Sequence, residues 1–328
     1  MNFSEKRKQI VEGEESYSKK QKGWYSVQSR VEQDFKAPEA LGEGFYGEVQ
    51  RGSHVLDGCN YAIKRIRFVG LIDQLLPEVH ALPRLNNEGI VRYFSSWEEF
   101  DEVDDMDVIK IVKYPKKKKD GEEEDSPEAD ERDVLYFDSR GEEQQEIVHK
   151  SLYIQMEMCE RPLYDAIMDG IGCEEGLEYF RQISSVVAYM HSKNVAHRDL
   201  SSQNIFSCES SKIKIGDFGI AHIIGEKDLH SESPGNELYS APERSEGEVE
   251  DVTKVDMYSM GILLLELVSN IKSAMGRIKV IQNFKKGEEV SLSTDFKEEA
   301  LVKELIKLLT SSNPSERPTA EDLCLRLA

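Results

Sequence analysis

Long hydrophobic runs, a signal-like leader and clustered cysteines are all missing from this 328-residue chain. The most apolar stretch, residues 262–268, is far too short to span a bilayer and contains Glu266, so we expect a buried core helix there. Residues 1–20 are polar and charged and show no signal peptide. These absences argue against a membrane or secreted protein. We expect a cytosolic or nuclear location and prefer the cytoplasm.

Cysteine usage and net charge exclude further classes of protein. The cysteines are scattered without a Cys-x-x-Cys pair, which indicates ordinary thiols rather than a metal site or a disulfide framework. The net charge is −21, and residues 101–148 alone hold 18 acidic against 8 basic residues, a net charge of −10. The chain therefore lacks the basic footprint that general nucleic-acid binding requires. The five cysteines are Cys59, Cys159, Cys173, Cys208 and Cys324.

The pattern of apolar residues changes along the chain. Residues 1–28 are rich in Lys, Glu and Ser and are predicted to be a disordered tail. Short strand-like runs then alternate with turns, and beyond Cys159 the pattern becomes helical. Strands are predicted at 40–41, 47–51, 61–67, 90–98 and 151–158, and helices at 71–85, 162–169, 177–192, 254–269 and 297–309.

Residues 101–148 interrupt this order with a long acidic segment. A stretch of this length without periodicity is typical of an insertion or a disordered segment. The four lysines at 116–119 fit either a nuclear-localisation or anionic-lipid patch, or a plain solvated charge run.

Two polar loops carry the residues best suited to chemistry. Asp199 lies five residues before Asn204, and Asp217 opens an Asp-Phe-Gly turn after an apolar strand. Carboxylates and an amide on short loops can hold Mg²⁺ and steer a hydroxyl toward a phosphate. Together, in this order and at this separation, the two motifs resemble the catalytic and metal-binding loops of protein kinases.

A glycine-rich segment and a lysine strand supply phosphate-binding parts. Residues 42–49 fit Gly-x-Gly-x-x-Gly-x-Val, in which glycines let a hairpin backbone approach phosphates, although a plain β-turn fits the same letters. Lys64 follows at the expected distance and is the candidate partner of the ATP α- and β-phosphates. Glu78, in the predicted helix, is its expected ion-pair partner.

The resemblance implies ATP and Mg²⁺ as cofactors and an α+β, bilobal protein-kinase fold. A small antiparallel β lobe with one main helix, residues 29–158, would precede a larger, mostly helical lobe, residues 159–328. Asp199 would accept or orient the substrate hydroxyl, Lys64, Asn204 and Asp217 would complete the catalytic set, and Asn204 and Asp217 would hold the metal. The implied nucleotide-binding residues are Leu41, Gly42, Glu43, Gly44, Gly47, Val49, Ala62, Lys64, Glu78, Met156, Glu157 and Cys159.

Three architectural residues complete the resemblance in the larger lobe. Glu243, in Ala-Pro-Glu, would pair with Arg317, and Asp256 would order the catalytic loop.

Less general features point to one group of kinases. Residues 93–99, 152–160 and 254–261 resemble the kinases of the α subunit of eukaryotic translation initiation factor two. This resemblance implies phosphorylation of a serine of that subunit, which lowers translation under stress. The helix predicted at 273–280 is similar to the one that docks the substrate there, although a solvated amphipathic helix fits too. We find no sensor module of the kind that such kinases usually carry.

A second set of residues suggests a homodimer through the small lobe. By resemblance, Arg30 of one chain would meet Asp34 of the other across a twofold axis. Asp57, Tyr61 and Tyr93 would form a hydrogen-bonded cluster. The alternative is an exposed charged turn beside two core tyrosines.

The chain also departs from the kinase pattern. Ser201 and Ser202 stand where most serine/threonine kinases have Lys and Pro, and Asn236 replaces the threonine that partners that lysine. Losing one preorganised charge costs on the order of a hundredfold in rate. Two alternatives therefore stay open: a pseudokinase that binds nucleotide and dimerises, and an active kinase with another target, such as a cell-cycle regulator. Ser231 and Ser233 are the candidate phosphosites that Arg198 would bind.

Overall fold

The segments with strand patterns and the segments with helical patterns form separate parts of one α+β structure. A computed structural model of the chain describes residues 29–44, 47–69, 77–100, 135–137, 143–145, 149–208, 212–225, 236–245, 249–269, 271, 273–288 and 297–328. The predicted tail at 1–28 lies outside the described residues.

Among the residues that the structure describes, five strands form one antiparallel sheet, in which the seventh strand of the chain lies between the third and the fourth. Their bounds are β1 Phe35–Gly44, β2 Gly47–His54, β3 Asn60–Val69, β4 Tyr93–Phe100 and β7 His149–Glu157. Side chains alternate between the two faces of a strand. The partners Val49 and Lys64 therefore share one face of the sheet with Ala62 and its partner Met156. The opposite face buries a separate small cluster of Val31, Phe35, Ile63 and Tyr153.

Two short helices accompany this sheet, α1 Arg30–Asp34 and α2 Pro77–Ala81. A 3₁₀ turn, Leu82–Arg84, follows α2, and Leu85 is already extended. The helix predicted over 71–85 therefore ends early, because Pro83 has no N–H to continue the hydrogen-bond ladder. Residues 71–76 lie outside the described part. The strand predicted from residue 90 begins at Tyr93, since the Ile90 amide closes a turn on the Asn87 carbonyl at 3.1 Å.

In the part of the larger lobe that the structure describes there are six helices. Five of them lie where the sequence predicts helices, and the last one was not predicted. They are α3 Leu163–Asp169, α4 Cys173–Ser192, α5 Val252–Val268, α6 Ala274–Lys285, α7 Glu299–Leu309 and α8 Ala320–Leu327. The central helix α5 is buried along nearly its whole length, as predicted for residues 262–268. It starts at Val252 because the Asp251 side chain accepts the Thr253 amide. A side chain at Gly176 on α4 would lie 2.4 Å from the Leu267 carbonyl oxygen, so glycine permits this close packing of α4 on α5.

Short strands in the larger lobe position the polar loops. Strands β8 Arg161–Pro162, β10 Ile205–Cys208 and β11 Lys212–Ile215 form one small sheet. Strands β9 Val195–Ala196 and β12 His222–Ile223 form another. The segment that contains Asp199 runs from β9 to β10, and Asp217 follows β11. Both chemically important loops therefore leave short strands anchored on the helical core.

Within the acidic segment 101–148 the structure describes one small antiparallel pair, β5 Leu135–Phe137 and β6 Glu143–Gln145. The strands that flank the segment are neighbours in the main sheet, with Phe100 opposite Lys150. The four lysines at 116–119 lie outside the described residues. Among the helices that the structure describes, none combines the length and the apolar character needed to cross a bilayer.

Candidate active site

Lys64 joins the two lobes at the centre of the candidate site. Its ammonium nitrogen lies 2.7 Å from a Glu78 carboxylate oxygen on α2 and 2.6 Å from Asp217 Oδ1 in the larger lobe. The Lys64 side chain is 4% exposed. Burial alone would lower the pKa of this ammonium, but the Asp217 and Glu78 carboxylates together hold that pKa above its usual value. Lys64 is therefore positively charged, and the expected ion pair with Glu78 is present.

The two carboxylates that face Lys64 differ in their surroundings. Burial raises the pKa of Glu78, whose side chain is 1% exposed. For Asp217, burial is outweighed by the Lys64 charge, so the pKa of this carboxyl lies below its usual value. The Asp217 side chain is also 32% exposed. Asp217 is therefore an ionised carboxylate that remains accessible from the cleft.

Asp199 is held on both of its carboxylate oxygens. The Asn204 side-chain amide donates to Asp199 Oδ2 at 2.9 Å and to its carbonyl oxygen at 2.8 Å. The backbone N–H of Asn236 donates to Asp199 Oδ1 at 2.9 Å. Asp199 and Asn204 therefore come together as the sequence predicts. Asn236, noted for its changed side chain, contacts Asp199 through its backbone.

Asp256 fixes the loop that carries Asp199. The fully buried Asp256 carboxylate accepts the backbone amides of His197 at 2.8 Å and Arg198 at 2.7 Å, and it lies 2.8 Å from His191 Nε2. Burial tends to raise the pKa of this carboxyl, but these hydrogen bonds, led by that of His191, hold it below its usual value. The geometry agrees with the expectation that Asp256 orders the catalytic loop.

Two non-glycine residues of the site have left-handed backbone conformations. The φ angles are 68° at Arg198 and 58° at Asp217. Such residues cost roughly 1–2 kcal/mol unless their surroundings stabilise them. At Arg198 the amide is bound by Asp256 and the carbonyl accepts an Arg244 guanidinium N–H at 2.8 Å. Surrounding hydrogen bonds thus impose the local shape of the catalytic loop.

Glu243 and Arg317 form the expected ion pair below this loop. The Arg317 guanidinium contacts both Glu243 carboxylate oxygens, at 2.6 and 2.8 Å. The Arg317 side chain is fully buried, and its guanidinium also donates a hydrogen bond to the Lys254 carbonyl at 2.8 Å. This bidentate pair anchors the short 3₁₀ turn Pro242–Ser245 to the C-terminal part of the lobe.

The glycine-rich hairpin is described on both sides of residues 45–46. Gly44 pairs with Gly47 across the hairpin, and Glu43 pairs with Glu48. The φ angle of Gly47 is 125°, and a Cβ there would lie 2.2 Å from the Arg65 carbonyl oxygen, so only glycine fits. At Gly42 an added Cβ would meet no described atom within 4 Å. The side chain of Glu43 lies outside the described part.

Three more of the implied nucleotide-binding residues, Met156, Glu157 and Cys159, lie at the end of β7 and just beyond it. Met156 is buried opposite Ala62, while Leu41 at the hairpin is 47% exposed. The Glu157 carboxylate accepts from the Lys214 ammonium at 2.9 Å and from the Arg92 amide at 3.2 Å. It therefore links the two lobes.

Cys159 lies two residues after Glu157 in the chain. Burial raises the pKa of the Cys159 thiol to about 12, so the thiol is neutral at pH 7.

A buried polar network beside the catalytic loop was not predicted. Ser202 donates to Glu266 at 3.0 Å and lies 3.1 Å from the Tyr239 hydroxyl. Tyr239 and Arg277 each form a short hydrogen bond with Glu266, and Arg277 also donates to Tyr239 at 2.7 Å. Burial and the Glu266 charge raise the pKa of Tyr239. Two signals were available in the sequence: Glu266 inside an otherwise apolar run, and Ser202 in place of the usual proline.

Ser201, the position of the usual lysine, is 1% exposed, and its carbonyl accepts the Asn204 amide at 3.1 Å. The candidate phosphosites Ser231 and Ser233 lie outside the described residues.

Of the residues expected at a dimer interface, Tyr61 packs on the outer face of the small lobe, whereas Tyr93 packs against the main core. Arg30 pairs with Asp34 of the same chain at 3.0 Å and stacks over Trp97 at 4.3 Å. Tyr61 donates to Asp57 at 2.9 Å.

The Tyr93 hydroxyl bonds to the Ser96 hydroxyl of the same strand at 3.0 Å. The cluster of Asp57, Tyr61 and Tyr93 belongs to the expected dimer and stays a prediction.

Comparison with known proteins agrees with this geometry. The family model described as protein kinase domain matches residues 35–326. The eIF-2-alpha kinase GCN2 of Schizosaccharomyces pombe is 31% identical over 90% of this chain and 23% of its own length. The interferon-induced, double-stranded RNA-activated protein kinase of Rattus norvegicus is 30% identical over 93% of this chain and 53% of its own.

A Wee1-like protein kinase of Oryza sativa is 30% identical over 73% of the chain and 37% of its own length. The chain thus spans between about a quarter and half of the length of these relatives. The match to the family model and the Lys64, Glu78 and Asp217 arrangement lead to one conclusion: the chain belongs to the protein kinase family and is similar to its eIF-2-alpha kinases.

Proposed function

We propose that the chain is a serine/threonine kinase that transfers the γ-phosphoryl group of ATP to the α subunit of eukaryotic translation initiation factor two. This transfer would lower translation under stress. The observation that carries the catalytic part is the continuous contact from Glu78 through Lys64 to Asp217. It joins the small lobe to the larger one across the cleft where the phosphates would bind. The named substrate rests on the eIF-2-alpha kinases among the relatives.

The residues of the chain divide the chemistry among them. Lys64, a buried cation, pairs with phosphate oxygens and so orients the phosphoryl group for in-line transfer. Asp199, with both oxygens held by hydrogen bonds, positions the attacking hydroxyl and accepts its proton. Neither step requires a covalent intermediate. The rate gain comes from positioning of the reacting groups and from preorganised charges in the site.

Asn204 and Asp217 provide a donor set that suits Mg²⁺. Magnesium prefers hard oxygen ligands and is held in such sites by one or two protein groups together with phosphates. Asp217 supplies an ionised carboxylate, and Asn204 uses its NH₂ group on Asp199, which leaves the amide oxygen as an acceptor. The bound ion would neutralise phosphate charge. Among the described residues there is no cluster of three or more His, Cys, Asp or Glu side chains that would favour another metal.

Helix α6 is the proposed docking surface for the protein substrate. It begins after Ser273, whose side chain caps the helix by accepting the Gly276 amide, and Met275 is 75% exposed next to that cap. An exposed apolar side chain of this kind can become a buried anchor when a protein partner covers it.

The remaining proposals concern assembly and organisation. We place the boundary between the lobes between Met158 and Cys159 and the protein in the cytoplasm, where translation initiation occurs. The homodimer would use the outer face of the small lobe, where Arg30 and Trp97 stack.

Two rival functions rest on particular observations. Ser201 and Asn236 favour a pseudokinase that binds nucleotide with little transfer, because no lysine stands at position 201. The similarity to a Wee1-like protein kinase favours an active enzyme with another target, such as a cell-cycle regulator.

A transfer assay with labelled ATP separates these possibilities. It uses the purified chain, the purified initiation factor α subunit, and the Asp199→Asn variant as control. Label on the α subunit that disappears with the variant supports the proposed function. If the chain labels itself strongly while the α subunit stays unlabelled, the result favours another protein substrate. Nucleotide binding without transfer to any protein favours the pseudokinase.

A further inference from the structure

Ser202 occupies a position that the catalytic chemistry leaves unexplained. Proline is usual there, and proline offers neither a backbone N–H nor a hydroxyl group. In this chain the Ser202 amide donates to the Tyr239 hydroxyl at 3.3 Å, and the Ser202 hydroxyl bonds to both Tyr239 and Glu266. The side chain is fully buried. The substitution therefore creates polar contacts that a proline could not make.

These contacts continue into the proposed docking helix. Arg277 of α6 is 5% exposed, and its guanidinium binds Glu266 of α5 and donates to the Tyr239 hydroxyl at 2.7 Å. The four side chains form one closed network in which each buried polar group has a partner. Because an isolated buried charge is very costly, Arg277 and Glu266 hold each other in place.

A second connection runs from the other end of α6 to the same segment of the chain. The Lys285 ammonium donates to the carbonyl oxygens of Glu237 at 3.0 Å and Ser240 at 3.2 Å. The segment 236–241 is thus attached to α6 at Tyr239 and at these two carbonyls. Its first residue, Asn236, donates its amide to Asp199 Oδ1.

We propose that Arg277 and Ser202 are positioning residues that join α6 to the catalytic loop and thereby align Asp199. The connection reaches that loop from two sides, through Ser202 directly and through segment 236–241. Occupation of α6 by a protein substrate then stabilises the same geometry that holds the Asp199 carboxylate. This inference deepens the proposed kinase function, and its kinetic part rests on that function.

A double-mutant cycle with Arg277→Met and Ser202→Ala tests the connection. Hydrogen exchange of segment 236–241, followed by mass spectrometry, needs no enzymatic activity. We expect each variant to speed exchange there by about tenfold. In the transfer assay, kcat should fall by about tenfold while KM for ATP stays within about twofold. If the groups act as a unit, the double variant should lose no more than the worse single variant.

Arg326→Met and Ser192→Ala, at exposed positions, are the matched controls and should change neither quantity. Exchange of segment 236–241 at the unchanged rate overturns the proposal. So does faster exchange with unchanged kcat, or losses that multiply in the double variant. If the unaltered chain transfers phosphate to no protein, the proposed function fails. The hydrogen-exchange rates of the two single variants and the double variant then test the connection without any activity. Non-additive changes in these rates support it, and additive changes overturn it.

Discussion

The ammonium of Lys64 lies 2.6 Å from Asp217 Oδ1, although the two residues belong to different lobes. Residues so far apart in sequence meet only when the sheet closes onto the larger lobe. The same ammonium also binds Glu78 of α2. One cation thus sets the distance between α2, the sheet and the loop that carries Asp217.

Replacing Lys64 with methionine should abolish measurable transfer and destabilise the fold. The change removes the partner of a carboxylate, Glu78, that is 1% exposed, and breaking a buried pair in this way costs about 3–5 kcal/mol. Urea unfolding and the labelled-ATP assay measure the two effects. Lys212→Met, at an exposed ion pair with Glu88, is the matched control. Transfer at the normal rate in Lys64→Met would contradict the proposed role.

Loss of Arg317 should be a large and purely structural defect. Its guanidinium is fully buried and bidentate to Glu243, so Arg317→Met should lower the free energy of unfolding by about 3–5 kcal/mol. The exposed Arg326 pairs with Glu304 at 3.7 Å, and Arg326→Met should cost less than about 1 kcal/mol. Urea unfolding of both variants at pH 7 compares them directly. Equal losses would show that burial does not decide the strength of this pair.

Asp256 should account for part of the fall in the free energy of unfolding at acid pH. Its pKa lies below the usual value in the folded chain, so its contribution to stability is present above about pH 4 and is lost as pH falls toward the folded pKa. In Asp256→Asn, the free energy of unfolding should therefore fall less steeply between about pH 5 and pH 3. Urea unfolding across this range measures the slope. An unchanged slope would mean that other carboxylates govern the acid limit.

At neutral pH the same variant should be less stable by about 1–3 kcal/mol. The asparagine NH₂ group would face the backbone amides of His197 and Arg198, which are themselves donors. Stability equal to that of the unaltered chain would show that these amides find other acceptors.

Restoring the missing cation at position 201 should raise turnover. If phosphate positioning limits the rate, Ser201→Lys should increase kcat by about tenfold or more, since one preorganised charge is worth on the order of a hundredfold. Ser201 is 1% exposed, so the longer side chain must extend toward the cleft. Ser201→Ala is the control for the lost hydroxyl. A decrease in kcat with unchanged stability would indicate that this catalytic loop works without a lysine.

Much of the site could be predicted from sequence because its key residues lie in short motifs of fixed spacing. Asp199 and Asn204 are five positions apart on one loop, and the structure joins their side chains at 2.9 Å. Lys64 and Glu78 follow the order of strand and helix in a small lobe. Local spacing constrains such pairs strongly, which is why the ion pair of Lys64 with Glu78 is where the sequence predicts it.

The network of Ser202, Glu266 and Arg277 could not be read in the same way. Its members lie on separate elements, and each one alone resembles an ordinary loop serine, a helix glutamate or a surface arginine. Only the packing of α6 against α5 removes water from all three. The early end of the helix predicted at 71–85 has a simpler cause, since Pro83 was visible in the sequence.

The pairing of β4 with β7 has a consequence for how this chain tolerates change. Phe100 and Lys150 are opposite each other, so the segment between them leaves and re-enters the sheet at one point. The entropy of closing a loop grows only slowly with its length, by about 0.6 kcal/mol for each doubling. Residues 101–148 could therefore lengthen, shorten or accept a foreign domain with little effect on the cleft. A regulatory segment inserted between Phe100 and Lys150, in evolution or by protein engineering, would therefore leave the catalytic residues of the kinase in place.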